Sequence, residues 1–139
     1  METNGKRVLV AEDDRFLRRA CEMSLRQLGF TVLLAKDGEE ALAIIETERP
    51  DVILLDLLMP KVTGLDVLRS LKSAERTRSI PVLILTNSSR AQDIEEIRAL
   101  GADGYQVKAN LSLEALGNQV QKLLRGVHHG SELAQGPFD

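Results

Sequence analysis

The most constraining feature of this sequence is a regular alternation of short apolar runs with longer amphipathic stretches. Two of the runs, residues 52–55 and 82–85, contain only Val, Ile and Leu. Strands that are apolar on both faces are typical of a parallel sheet that helices cover on both sides. The alternation therefore predicts an α/β fold built from successive βα units.

Five strands are predicted, at residues 7–11, 31–35, 52–55, 82–85 and 104–107. The third and fourth runs should be central strands because they are apolar throughout. Crossovers between parallel strands are right-handed in nearly all proteins, which removes most arrangements of so short a chain. We expect an open, doubly wound, five-stranded parallel sheet with five helices on its two faces.

The amphipathic stretches between the strands predict the helices. The first has an apolar stripe from Leu17 to Leu28 and ends at Gly29, a residue suited to a left-handed C-cap. The second begins at the acidic cap Asp37 and ends before Pro50. The third is short, with leucines at positions 65, 68 and 71 on one side.

Serine residues are predicted to cap the last two helices. Ser89, followed by Gln92 three positions later, gives a capping-box pattern before the fourth helix, which should end at Gly101. The fifth helix should follow Ser112. Gly117 in its interior costs about 1 kcal/mol relative to Ala.

Length, charge and cysteine content bound the class of protein. The 139 residues include 18 Lys+Arg and 21 Asp+Glu, for a net charge of −3. One globular domain is expected over residues 6–125, with a disordered tail over 126–139. The single cysteine, Cys21, excludes a disulfide framework, and no apolar run reaches the roughly 18 residues of a membrane span. We expect a cytoplasmic protein without membrane contact, and the near-balanced charge argues against direct nucleic-acid binding.

Polar residues follow several of the predicted strands. Ligands of open α/β sheets bind outside the carboxyl ends of the strands. After the first strand come Glu12, Asp13 and Asp14, while Asp56 follows the third strand. Thr86 follows the fourth strand and Lys108 the fifth. Carboxylates, one hydroxyl and one amine are therefore expected at one edge of the sheet.

This set of side chains suits phosphoryl transfer. Converging carboxylates repel one another by about 1 kcal/mol per pair at 4 Å in water, and by more in a partly enclosed site. Carboxylate oxygens without nearby His or Cys favour Mg²⁺ as the neutralising ion. An aspartate can then act as a nucleophile toward a phosphoryl group, with Lys108 and Thr86 binding the phosphoryl oxygens.

Four parts of the sequence also carry a resemblance to a known family. They are the run VLVAEDD at 8–14, the segment DVILLDLLMP at 51–60 with Gly64 beyond it, Thr86, and YQVK at 105–108. Together they resemble the receiver domain of two-component response regulators, in the family's order and on the expected strand ends. The similarity covers residues 7–124 and implies a flavodoxin-like strand order of 2-1-3-4-5.

The resemblance implies the role of each site residue. Asp56 would be phosphorylated by a sensor histidine kinase or a histidine phosphotransfer protein. Mg²⁺ would be held by the side chains of Glu12, Asp13 and Asp56 and by the backbone carbonyl of Leu58. Thr86 and Lys108 would engage the phosphoryl group, and Tyr105 would act with Thr86 as a switch. For Asp14 the alternative to a site role is a cap on the first helix.

The sequence departs from the family pattern near the site. Ala109 and Asn110 follow Lys108 where the family usually has proline, and Asn87 replaces a small residue after Thr86. Leu58 and Ser88 occupy positions that in the family control how water reaches the acyl phosphate. Neither side chain is an acid or an amide that could orient water, so slow self-hydrolysis is predicted.

Three functions are weighed. The favoured one is a stand-alone receiver, a phosphoprotein whose output passes to a protein target on the fourth helix, fifth strand and fifth helix; homodimer formation stays open. A receiver fold that docks partners without phosphorylation is the first alternative. An aspartyl-phosphate hydrolase is less favoured, because such enzymes need an acid two residues after the nucleophile, where this chain has Leu58. The protein is thus expected to be a signalling domain rather than an enzyme.

Overall fold

The computed structural model describes residues 5–126 and contains one five-stranded parallel sheet. Its strands are β1 (Arg7–Ala11), β2 (Thr31–Ala35), β3 (Val52–Asp56), β4 (Val82–Thr86) and β5 (Gly104–Val107). They lie in the order β2-β1-β3-β4-β5. The predicted doubly wound, flavodoxin-like fold is therefore confirmed.

Five α-helices connect and follow the strands. They are α1 (Arg15–Gln27), α2 (Gly38–Glu48), α3 (Gly64–Ser73), α4 (Ala91–Ala99) and α5 (Leu113–Leu124). One apolar core lies between the sheet and α1 and α5, where Leu25 and Val120 are buried. A second core lies on the other face, under α2, α3 and α4, where Ile45, Leu68 and Ile97 are buried. The sheet is thus covered on both sides.

β3 and β4 are buried along their whole length, as their apolar sequences predicted. Each strand is one residue longer than its apolar run. Asp56 pairs with Leu85, and Thr86 pairs with Val107, so both polar residues belong to the sheet ladder. Because they are the last residues of central strands, their side chains stand at the carboxyl edge of the sheet.

Most of the predicted helix caps are present. Asp37 and Ser112 accept hydrogen bonds from backbone N–H groups in the first turns of α2 and α5. The cap predicted for Ser89 is wrong, because α4 begins after Arg90, which forms no side-chain cap. Ser88 acts there instead: its hydroxyl donates to Asp93 and accepts the Arg90 N–H.

Gly117 has a packing role in α5. A Cβ atom at this position would lie 2.6 Å from Cδ1 of Leu28, the C-cap residue of α1. An alanine here would therefore require the end of the Leu28 side chain, which is partly exposed, to move.

The tail predicted for residues 126–139 lies, apart from Gly126, outside the described residues. The helices within residues 5–126 fall short of a membrane span in length and apolar character.

Candidate functional site

The acidic residues after β1 form one side of the site. The Glu12 N–H donates to the Ala35 carbonyl at 3.0 Å, which extends the β1–β2 ladder by one bond and fixes the start of the loop. The Glu12 side chain is fully buried, whereas Asp13 is exposed. One carboxylate is therefore held inside the protein and its neighbour faces solvent.

Asp56 brings a second buried carboxylate to the same place. Its side chain is almost completely buried at the end of β3. The Leu58 N–H donates to Asp56 Oδ1 at 3.2 Å, and Lys108 Nζ lies 3.0 Å from the same oxygen. The Leu58 N–H and the Lys108 amine thus meet at the same oxygen, Oδ1.

Lys108 connects the two carboxylates. Its Nζ atom lies 3.0 Å from Glu12 Oε1 and 3.1 Å from Glu12 Oε2, in addition to its contact with Asp56. The side chain is largely buried. One amine from the end of β5 therefore reaches carboxylates from the ends of both β1 and β3.

Burial and charge shift the pKa values of this cluster. Burial raises the pKa of Glu12 to about 7, although the Asp14 N–H and Lys108 act in the opposite direction. Burial and contact with Asp56 also raise the pKa of Asp13. Burial alone would lower the pKa of Lys108, but hydrogen bonds to Asp56 and Glu12 outweigh it and raise that pKa. The amine therefore stays charged while the carboxylates are crowded.

The cluster fits a hard divalent cation. Oxygen atoms of Glu12, Asp13 and Asp56 lie within 4.8 Å of one another. Three carboxylates face the single charge of Lys108, and Glu12 Oε1 is buried without a hydrogen-bond donor in suitable geometry. Carboxylate oxygens in this number suit Mg²⁺, which takes a few protein oxygens and completes its shell with water or phosphate.

Thr86 and Tyr105 lie close to the site on β4 and β5. Thr86 is buried, and its Oγ1 accepts the Ser88 N–H at 3.0 Å. Its hydroxyl hydrogen can therefore still donate to a ligand. Tyr105 pairs with Ile84 in the ladder and is half-buried against the core under α4. The two residues thus lie on neighbouring strands, and their role as a switch stays a prediction.

Leu58 and Asp14 have exposed side chains. Leu58 is 68% exposed, so the residue whose N–H binds the Asp56 carboxylate presents an apolar side chain to solvent. Asp14 Oδ1 accepts the Leu17 N–H at 3.1 Å and caps α1. Its own N–H donates to Glu12 Oε2 at 3.0 Å, so Asp14 contributes to the site through its backbone.

Arg18 supports the site, and sequence reasoning missed it. Its Nη1 atom donates to the carbonyl of Glu12 at 2.8 Å and more weakly to that of Asp13 at 3.4 Å. The available signal was its position in the first turn of α1, because helical side chains point back toward the N-terminus.

The segment after Lys108 differs from the family pattern in sequence but is ordered. Residues Lys108–Asn110 form a 3₁₀ turn, which the Leu111 N–H closes by donating to the Lys108 carbonyl at 3.2 Å. The Lys108 amine still reaches the acidic cluster from this turn.

Comparisons with known proteins agree with this geometry. Residues 8–121 match the family model described as response regulator receiver domain. The response regulator MprA of Mycobacterium ulcerans is 42% identical over 121 residues, which make up 86% of this chain and 50% of that protein. The chain spans about half the length of the curated relatives it matches.

Solved structures give the same relationship. A Francisella response regulator receiver domain is 30% identical with a TM-score of 0.82, covering 88% of this chain and 98% of that one. The receiver domain of a Pseudomonas aeruginosa sensor histidine kinase is 29% identical with a TM-score of 0.77, at coverages of 88% and 98%. That structure is described with a magnesium ion coordinated in its active site cleft.

Proposed function

The chain belongs to the response regulator receiver domain family, and from this premise we propose that it accepts a phosphoryl group on Asp56 in a Mg²⁺-dependent reaction. The observation that carries the proposal is the position of Asp56. Its buried carboxylate lies 3.0 Å from the Lys108 amine and belongs to the acidic cluster with Glu12 and Asp13. A phosphoryl group on this carboxylate would therefore be close both to a positive charge and to a cation-binding cluster.

The reaction is a displacement at phosphorus. The Leu58 N–H and the Lys108 amine both contact Oδ1 of Asp56, and we assign Oδ2 as the oxygen that forms the new P–O bond. The P–N bond to the donor imidazole breaks, and its electron pair remains on the imidazole nitrogen. Lys108 binds phosphoryl oxygens as a point charge, and the Thr86 hydroxyl donates to them.

The metal would be held by the side chains of Glu12, Asp13 and Asp56 and the carbonyl of Leu58. When bound, it supplies positive charge against the transferred phosphoryl group and neutralises the carboxylates. Lys108 forms ion pairs with the carboxylates of Glu12 and Asp56. Glu12 is held by its buried position and by the Asp14 N–H.

Output is proposed to pass through protein contacts. Phosphorylation would favour one of two conformations through new contacts with Thr86 and Lys108, and Tyr105 would respond on β5. The donor would be a sensor histidine kinase or a histidine phosphotransfer protein in the cytoplasm, and the target surface α4, β5 and α5. The stand-alone arrangement expected from the sequence stays a prediction, since the matched relatives are about twice as long as the shared segment.

The phosphorylated state is proposed to be long-lived. Leu58 is exposed at the site entrance but has no group that could orient water. The Ser88 hydroxyl donates to Asp93 and serves the start of α4. The same absence of an acid at Leu58 argues against the hydrolase alternative. A docking module without phosphorylation would not require the buried amine between two carboxylates.

Intact mass after incubation with Mg²⁺ and a small acyl-phosphate donor tests the proposal. We expect the mass of one added phosphoryl group, its loss in Asp56→Asn, and its retention in the matched control Asp66→Asn on the exposed side of α3. An unmodified wild-type protein, or an adduct that persists in Asp56→Asn, would refute Asp56 as the acceptor. Continuous release of phosphate would instead support the hydrolase.

A further inference from the structure

The first residue of α2 packs directly against the loop that follows Asp56. This β3–α3 loop comprises residues 57–63. A Cβ atom on Gly38 would lie 1.9 Å from the Val62 carbonyl oxygen and 2.7 Å from the Val62 Cβ. Because the nearest atom belongs to the backbone, rotation of a side chain cannot relieve such a contact. Only glycine allows the loop to lie this close to α2.

The loop is also compact at its two ends. A Cβ atom on Gly64 would lie 2.1 Å from the Asp56 carbonyl oxygen, and the Gly64 N–H donates to the Leu57 carbonyl at 2.9 Å. Met59 in the middle of the loop is buried. A seven-residue loop closed in this way has little freedom, so a displacement at Val62 changes the path of the backbone at Leu58.

Charged residues hold the loop to α2 from the outside. Lys61 Nζ lies 3.6 Å from Asp37 Oδ2 and 3.7 Å from Glu39 Oε1. Asp37 is buried and also caps α2, and the Glu40 N–H, aided by Lys61, lowers the pKa of Asp37. Lys61 has a φ of 69°, a left-handed conformation that is unfavourable for a residue with a side chain. The ion pairs therefore accompany a strained backbone at the tip of the loop.

We propose that the N-terminus of α2 sets the position of the metal-binding loop, with Gly38 and Lys61 as positioning residues for Mg²⁺ binding. The inference rests on the proposed function, in which the Leu58 carbonyl is a metal ligand. Neither residue touches the ion. Gly38 fixes how closely Val62 approaches α2, and Lys61 keeps the loop tip on Asp37 and Glu39.

The sign of the effect at Lys61 separates positioning from simple electrostatics. Removing a positive charge from the protein should by itself leave the binding of a cation unchanged or strengthen it. If Lys61 positions the loop, Lys61→Gln should instead weaken Mg²⁺ binding, by about two- to fivefold as fits an exposed ion pair. Lys36→Gln is the matched control, because Lys36 lies just before α2 and pairs with Glu40 of that helix, 2.9 Å away, and within residues 5–126 it forms no ion pair with the loop.

Gly38→Ala should reduce the affinity for Mg²⁺ more than Lys61→Gln does. We expect it to weaken Mg²⁺ binding by about tenfold or more, the effect typical of losing a group that orients a metal ligand. Gly117→Ala is its control, since Gly117 lies in α5 on the other face of the sheet and a Cβ there would meet only the end of the Leu28 side chain. Circular dichroism establishes that each variant is folded.

Mg²⁺ titration followed by the amide NMR shifts of residues 57 and 58 measures binding without reference to phosphorylation. Weaker binding in Lys61→Gln and Gly38→Ala, with unchanged or tighter binding in both controls, supports the inference. Unchanged or tighter Mg²⁺ binding in Lys61→Gln overturns the inference. This result is decisive even if Gly38→Ala does not fold. If the wild type binds Mg²⁺ and both test variants match it, the inference alone fails. If the wild type binds none, the proposed function fails as well.

Discussion

Lys108 Nζ lies 3.0 Å from Asp56 Oδ1. The two residues come from strands that are not neighbours: Asp56 ends β3, Lys108 follows β5, and β4 lies between these strands. The same amine lies 3.0 Å from Glu12 Oε1 beyond the end of β1. A single side chain thus links three strand ends across the carboxyl edge of the sheet. The energetics of the site depend on this link, because Lys108 places its positive charge directly against carboxylate oxygens of Glu12 and Asp56.

The free energy of unfolding of the metal-free protein should fall as the pH rises from the unfolded-state pKa of Glu12 to its folded-state pKa. Burial raises the pKa of Glu12 from 4.5 to about 7. The folded state therefore binds more protons than the unfolded state between these values, and its free energy of unfolding decreases with pH. The loss is on the order of 3 kcal/mol at most between pH 4.5 and 7. Urea unfolding with EDTA at several pH values measures it.

Glu12→Gln is the control for this pH dependence. The variant should show a flatter profile over the same range, with only the smaller contribution of Asp13, whose pKa is also raised. A wild-type profile that rises between pH 5 and 7 would contradict the assignment.

Asp14→Ala should affect stability more than metal binding. Its carboxylate caps α1 through the Leu17 N–H, and losing such a cap costs about 1 kcal/mol. The backbone bond from Asp14 to Glu12 is retained, so Mg²⁺ affinity should change little. Thermal unfolding and Mg²⁺ titration of Asp14→Ala and the cap-retaining Asp14→Ser measure the two effects. Loss of Mg²⁺ binding in both variants would show that the Asp14 carboxylate belongs to the metal site.

Leu58→Asn should shorten the lifetime of the phosphorylated protein. The side chain at this position is exposed beside Asp56, and an amide there can orient water toward the acyl phosphate. We expect wild-type dephosphorylation to be slow and the variant to be at least several-fold faster, measured by intact mass after removal of the donor. Leu58→Met is the matched control. A wild-type half-life of seconds would refute the slow-hydrolysis prediction.

Gly117→Ala and Leu28→Ala should be coupled. In the wild type, the added Cβ meets Leu28 Cδ1 at 2.6 Å, which offsets the gain in helix propensity. With Leu28 removed, the same alanine should stabilise α5 by about 1 kcal/mol. A double-mutant cycle of urea unfolding measures the coupling. Additive effects would show that the Leu28 side chain does not oppose a Cβ at Gly117.

The sequence was sufficient to predict the elements of the fold and the polar residues that stand at the carboxyl edge of the sheet. The starts of all five strands agree with their apolar runs, and the caps at Asp37 and Ser112 agree with local hydrogen-bonding patterns. These features depend on neighbouring residues, so local sequence encodes them. The Ser89 cap was wrong because Ser88, one residue earlier, makes the hydrogen bonds at the start of α4.

Only the tertiary structure decided which atoms meet. The sequence placed Lys108, Asp56 and Glu12 at strand ends, but their 3.0 Å contacts depend on strand order and register. The sequence also did not indicate that Gly38 approaches the Val62 carbonyl or that Lys61 pairs with Asp37. These contacts join the start of α2 to a loop that is far away along the chain. Local patterns fix periodicity and capping, whereas contacts across the sheet edge depend on how several elements pack at once.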